Sequence, residues 1–409
     1  MASPPPFLPY GRQVVDERDI EAVTAALRQP LLTGGPAVAA FEEALAAACG
    51  ARQAVACANG TAALHLAAMA AGLGNGDAAV VPTMTFLATA NCVRYVGAEV
   101  VFADVDRDSG LLTPATLEAA LARQSAGGGP PPKAVLPVHL AGQSCDMDGI
   151  AQVALRHGLV VIEDACHALG TRGSAPGATD DPVGSCRASA MTVFSFHPVK
   201  TITTGEGGAV TTGEGALAAR LRLLRGHGMT RDPADFRDAV QAFGPDGAPN
   251  PWYYEMHEPG FNYRLDDIAC ALGLSQLAKL EGFAATRRDL VARYDAALAA
   301  LAPAVRPLGR MDWCRPVWHL YVALIDFAGA GIRRPELMRR LQAAGIGTQV
   351  HYLPVHRQPY YRRRYGALSL PGADAYYERC LSLPLHAAMV PTDVDRVVGA
   401  LADALAPSA

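Results

Sequence analysis

With 409 residues, 50% hydrophobic and 18% charged, the chain can bury a large core in two or three domains and is too apolar for a disordered segment. A net charge of −4, with no basic run beyond Arg362-Arg363-Arg364, argues against nucleic-acid binding, and no apolar stretch reaches the ~18 residues of a membrane span. Nine scattered cysteines, odd in number and without a C-x-x-C, read as reduced thiols and not as a disulfide frame or a metal site. Together with an opening MASPPPFLPYG that lacks a secretory signal's pattern, they point to a soluble cytoplasmic protein.

In chain order, β-like runs are expected at 54–58, 79–82, 99–102, 134–138, 160–163, 191–194 and 208–211. Helical segments such as 61–71 and 147–157 lie between them. Continuous apolar runs such as VVI and AVLPV suit strands covered on both faces, so the fold class expected is α/β with a mostly parallel central sheet. The segments 125–133 (SAGGGPPPK) and 174–182 are rich in glycine and proline and read as surface excursions. From 265 to 299 the composition turns helical. This predicts a large domain over 1–264 and a smaller C-terminal α+β domain, with its connecting helix, over 265–409.

Open α/β sheets gather ligands outside the carboxyl ends of their strands, and four segments lie there: Asn59-Gly60-Thr61, residues 83–86, Asp164, and residues 195–200. Gly60 and Thr61 open a helix, whose free N–H groups attract a phosphate; a plain N-cap by Asn59 or Thr61 explains the same residues. Asp164 suits the protonated nitrogen of a pyridine ring, or else caps the next helix. His167 is near enough to touch that ring or its 3-oxygen, and equally reads as a core histidine. Phe86 offers a stacking face, though an aromatic after a strand is commonly core. Ser195 suits a phosphate and Lys200 an imine, provided burial or a neighbouring cation lowers the lysine's pKa. His197 has no evident role. A phosphate-type turn, an aromatic, an aspartate, then serine and lysine is the order that pyridoxal phosphate requires.

The motifs LLTGGP (31–36), NGTAAL (59–64), TFLATAN (85–91), EDACHALG (163–170), SFHPVKTITTGEGG (195–208) and GFNYRLDDIACALGLSQL (260–277) resemble those of the DegT/DnrJ/EryC1/StrS sugar aminotransferases. Within that family the nearest likeness, through PVHLAGQSCDM, PWYYE and HYLPVHRQPYY, is to the 4-aminotransferases of pseudaminic acid biosynthesis. The resemblance implies a fold-type I aminotransferase and a homodimer with shared active sites. By it, Lys200 is the Schiff-base lysine, Asp164 pairs with the pyridine nitrogen, Ser195 and Thr61 hold the phosphate, and Asn262 reaches the neighbouring subunit's site. Tyr10, Leu32, Thr33, Gly34, Gly35, Gln349, Val350, His351 and Tyr352 match positions lining a nucleotide-sugar pocket. His356, Arg357 and Tyr360 are further candidates for diphosphate and uracil, against the alternative that they only pack the small domain. Gly34 and Cys166 depart from the usual residues. The implied reaction moves an amino group from L-glutamate to C4 of a UDP-linked 4-keto-6-deoxy-N-acetylhexosamine. A sugar dehydratase on the same fold carries histidine in place of the lysine, so Lys200 counts against that alternative, as it does against a scaffold without turnover.

Overall fold

The computed structural model describes residues 6–178 and 180–406. Strands β1 (Gln53–Cys57), β2 (Ala78–Pro82), β3 (Glu99–Ala103), β4 (Pro132–Val135), β5 (Val160–Asp164), β6 (Met191–Ser195) and β7 (Gly208–Thr212) form one sheet in the order β1-β7-β6-β5-β4-β2-β3. Only β7 runs against its neighbours, pairing antiparallel with both β1 and β6, while the other pairs are parallel. The carboxyl ends of β1, β2, β5 and β6 therefore share one edge. Alanine and valine dominate these strands and almost every residue is buried, as expected where helices cover both faces.

The strand expected at 134–138 starts earlier and stops at Val135. Pro137 has no N–H to give a ladder, so only its carbonyl continues the pairing, accepting from Asp164 N at 2.8 Å. The helix Gly60–Ala70 is apolar on all sides, GTAALHLAAMA, and lies buried across β6 and β7. The 174–182 segment is only in part a surface excursion. Ser174 and Ala175 are buried, and Ser174 O accepts from Met147 N at 2.8 Å, because the Ala175–Ala178 bridge folds the turn back on the molecule.

The helical stretch after 265 is two helices, Asp267–Leu277 and Leu280–Leu298. The break falls at Lys279, whose Nζ reaches Asp16 and the fully buried Asp19 at 2.9 and 2.5 Å. Beyond a short pair, β8 (Met229–Thr230) and β9 (Glu255–Met256), a three-stranded antiparallel sheet joins β10 (Val305–Pro307), β11 (Tyr321–Ile325) and β12 (Cys380–Leu383). The amino-terminal stretch runs against this part of the molecule: Leu8 bridges Ile346, and Tyr10 O accepts from Leu385 N at 3.0 Å. That contact places Tyr10 at the sheet edge where the strands end. No helix among the described residues is long and apolar enough to cross a membrane.

Candidate active site

A cavity of about 1050 Å³ opens at the shared carboxyl edge. Its floor is the turn from β1 into the helix Gly60–Ala70. Asn59 is the N-cap, its Oδ1 accepting from Ala62 N at 2.8 Å, so the hydroxyl of Thr61 is not needed for capping. As at any helix start, the first amides have no intrahelical acceptor and face an anion site. Two glycines are required here by close approach. A Cβ on Gly60 would fall 2.8 Å from Ser195 Cβ, and one on Gly208 would fall 2.5 Å from the Asn59 carbonyl carbon. These contacts press the turn against Ser195, the last residue of β6.

Alternation along β5 sends its two acids opposite ways. Glu163 is buried away from the cavity, accepting from the hydroxyls of Ser189 and Thr192 and facing His139 Nε2 at 2.7 Å. Asp164 lines the cavity and is 5% exposed. Its carboxylate accepts from Thr89 Oγ1 at 2.6 Å and Cys166 N at 3.1 Å, and no salt bridge among the described residues involves it. A buried carboxylate without a cation is costly, and a protonated pyridine nitrogen would supply the missing charge. The phosphate cradle and this unpaired acid thus fit pyridoxal phosphate.

Lys200 follows a turn in which its N–H donates to His197 O at 2.8 Å. Burial lowers its pKa, while the neighbouring Cys166 and Asp164 pull the other way. The net result raises the fraction of free amine, the form that attacks a carbonyl. Burial holds Cys166 well above the thiol's ordinary pKa, so its departure from the family pattern adds no charge.

His167 uses both ring nitrogens: Nδ1 lies 3.3 Å from Ala141 N and Nε2 lies 3.1 Å from Tyr352 Oη. Phe86 is 56% exposed beside the cavity and is not a core residue. The stretch from Gln349 hangs on β12 through paired backbone bonds with Ser382, at 3.1 and 2.7 Å, and His351 Nδ1 meets Ser382 Oγ at 2.7 Å. Burial keeps His351 neutral, with its pKa pushed down to about 3.

The expected cofactor residues other than Asn262 line this cavity, as do Tyr10 and the 349–352 stretch. Leu32, Thr33, Gly34 and Gly35 do not. The Asp267 carboxylate instead accepts from Gly35 N and Ala37 N at 2.8 and 3.0 Å and starts the helix Pro36–Cys49. His356 also lies outside the cavity, its Nδ1 2.7 Å from Thr83 Oγ1. Arg357 pairs with Asp374, and Tyr360 stands edge-on to Tyr361. Arg357 thus pairs within the C-terminal part, whereas His356 reaches back to Thr83, and Tyr360 is 47% exposed, its hydroxyl accepting from Arg94 Nε at 3.4 Å. Asn262 is exposed and sits between Phe261 and Tyr263, which line the cavity while it does not. Sequence reasoning missed His65, Tyr263 and His319. His65 is one helical turn beyond Thr61, a spacing that places both on one face and was readable; His319, in WHLYVALI, gave no such signal.

Comparison with known proteins agrees with this geometry. A family model described as the DegT/DnrJ/EryC1/StrS aminotransferase family matches residues 13–402. The spore coat polysaccharide biosynthesis protein SpsC of Bacillus subtilis is 40% identical over 400 residues, 97% of each chain. Helicobacter pylori PseC, an aminotransferase of pseudaminic acid biosynthesis, superposes with a TM-score of 0.86 at 28% identity, covering 98% of this chain and 99% of its own. The sugar aminotransferase Spr1654 of Streptococcus pneumoniae, solved in PLP and PMP forms, gives TM-scores of 0.83 and 0.84 at 27% identity over 98% of both chains. The chain therefore belongs to the DegT/DnrJ/EryC1/StrS aminotransferase family, as a pyridoxal-phosphate-dependent nucleotide-sugar transaminase.

Proposed function

We propose that this transaminase moves the amino group of L-glutamate to C4 of a UDP-linked 4-keto-6-deoxy-N-acetylhexosamine, giving UDP-4-amino-4,6-dideoxy-N-acetyl-β-L-altrosamine. It does so as a cytoplasmic homodimer with shared sites. The observation that carries the reading is the convergence of Lys200 with an unpaired, buried Asp164 in one cavity large enough for a cofactor and a sugar. The particular sugar is supported by the likeness to H. pylori PseC and by the HYLPVH stretch.

Pyridoxal phosphate, when bound, supplies an electron sink and a carbon that takes up and releases nitrogen. The chain's own residues hold and orient it. Thr61, Ser195 and the first amides of the helix Gly60–Ala70 would hold the phosphate, Phe86 would offer a stacking face, and Asp164 would keep a proton on the ring nitrogen. Asn262 serves the partner subunit's site. Lys200, its amine partly freed by burial, takes a proton from the carbon that bears nitrogen and returns one on the other side of the transfer. Thr89 and the Cys166 amide fix the Asp164 carboxylate, so no reorganisation is needed as charge develops.

The 40% identity to SpsC favours a second reading, in which the acceptor is a different nucleotide-linked keto sugar for a surface polysaccharide. Assay of the purified holoenzyme against a panel of UDP- and TDP-linked 4-keto sugars, with C4 configuration read by NMR, separates the two. The first reading expects the L-arabino 4-ketone with UDP to be the best acceptor. Faster amination of the D-xylo epimer, or of a TDP sugar, would transfer the assignment to the second.

A further inference from the structure

Ala141, in the HLAG turn, has a φ of 59°, in the left-handed region that residues with a side chain seldom occupy. Its backbone serves two histidines at once. The N–H is directed at His167 Nδ1, and the carbonyl accepts from His319 N at 3.0 Å. Gly142 follows at φ 104°, where a Cβ would fall 2.4 Å from the Val317 carbonyl oxygen, so the turn is pressed against the segment carrying His319.

An amide N–H can only donate, so His167 Nδ1 is the lone-pair nitrogen and the hydrogen of the neutral ring sits on Nε2. The ring is neutral because burial, with Lys200 and His351 adding to it, holds its pKa well below the usual histidine range. Nε2 therefore donates to Tyr352 Oη. Tyr352 keeps its own hydrogen, since burial, then Asp164 and Cys166, raise its pKa well above the ordinary phenol. That hydrogen cannot point at His167, and Tyr352 lines the same cavity as Lys200 and Asp164. The ring of His319, also kept neutral by burial, packs against that of His167 with centroids 4.3 Å apart and planes tilted by 44°.

We propose that Tyr352 donates a hydrogen bond to the keto oxygen of the acceptor sugar, with His167 and His319 as the positioning residues that turn its hydroxyl into the cavity. This rests on the acceptor being a 4-keto sugar, as proposed above. Such a bond strengthens as negative charge gathers on that oxygen, and so favours the transition state over the bound ketone. The rival acceptor for the same hydrogen is the cofactor's 3-oxygen.

The test has a cofactor-free and a loaded arm. In cofactor-free protein labelled with 15N-histidine, His167 should show a neutral ring with its hydrogen on Nε2; a hydrogen on Nδ1 overturns the chain of donors. A UDP-linked 4-keto-6-deoxy-N-acetylhexosamine carrying 13C at C4 should show its keto carbon displaced downfield when bound. Tyr352→Phe should abolish that displacement while the sugar still binds. In the loaded enzyme Tyr352→Phe should lower kcat ~100-fold with little change in KM and leave the resting cofactor's absorption band in place. A displaced band with an unchanged carbonyl signal would assign the hydrogen to the cofactor and overturn the proposal. If the wild-type protein takes up none of the sugar, the acceptor reading and the donor role fall together, whereas binding without the carbonyl displacement overturns the donor role alone.

Discussion

The fold buries the Asp164 carboxylate between a hydroxyl and an amide, and no salt bridge among the described residues holds it. Asp164→Asn should leave the cofactor-free protein about as stable as the parent, because a buried carboxylate outside any salt bridge is exchanged for an amide of the same shape. The Thr89 hydroxyl can turn from donor to acceptor to suit the amide. In the holoenzyme the same change should cost at least ~100-fold in kcat, since the ring nitrogen loses its anionic partner. Thermal melting without cofactor and turnover with it check the two halves; near-normal turnover would remove the role. Lys200→Ala should still bind the cofactor, because the phosphate cradle is separate, yet lose turnover, and borohydride should fix the cofactor of the parent enzyme to the peptide containing Lys200. A second residue-scale consequence concerns acid. Burial lowers the pKa of His351 to about 3 and of His386 to about 4, and that of His167 and His319 well below 6.5. Below pH 6.5 the unfolded chain binds protons at these positions before the folded chain does. Their contribution to stability is therefore full above about pH 6.5 and falls on acidification, by about 1.4 kcal/mol per pH unit for His351 until its folded pKa is approached, with the other three acting in the same direction. Urea midpoints of the cofactor-free protein measured from pH 7 to 4.5 should decrease steadily, and a flat profile would contradict the neutral histidine cluster.

Among elements, the site depends on how tightly β7 meets the turn after β1. Gly208 pairs with Cys57 on one side and Ser195 on the other, and a methyl at Gly208 would overlap the Asn59 carbonyl. Gly208→Ala should cost ~1–3 kcal/mol through overpacking and should also weaken cofactor affinity, because the displaced turn is the one that presents Gly60 and Thr61. Denaturation of the cofactor-free protein and titration with pyridoxal phosphate measure the two effects. Lost stability with unchanged affinity would separate the turn from the phosphate cradle. Gly208, the first residue of the run expected at 208–211, is thus held tightly in the sheet.

At the scale of the whole molecule, Asn262 bears on how subunits share a site. It is exposed, and its own chain's cavity is lined by the residues on either side of it. If it serves the partner's phosphate, mixing Lys200→Ala chains with Asn262→Ala chains should yield heterodimers with one doubly damaged site and one intact site. Activity should rise toward half that of the parent dimer per heterodimer. Verified heterodimers that stay as weak as the better homodimer would show that each chain completes its own site. The segments Leu32–Gly35 belong to the same question, since they start a helix outside their own chain's cavity and remain available to a second copy.

Composition and periodicity by themselves determined the α/β class, all seven strands of the main sheet to within a few residues, and the edge at which chemistry gathers. Apolar runs bounded by turn residues are local signals, and strands covered on both faces leave few other ways to bury them. The motif order carried the cofactor and put its candidate residues other than Asn262 around one cavity for a similar reason: each segment is short, contiguous and at a strand end. What those segments touch was decided only in the tertiary structure. His356, Arg357 and Tyr360 carry the right chemistry for a diphosphate and a base, but their partners are Thr83, Asp374 and Tyr361. His319 looked like one histidine before a strand, yet it lies against His167, 152 residues earlier in the chain. Residue type sets what a side chain can do, whereas its protonation, its tautomer and the direction of its hydrogens follow from burial and from neighbours distant in sequence.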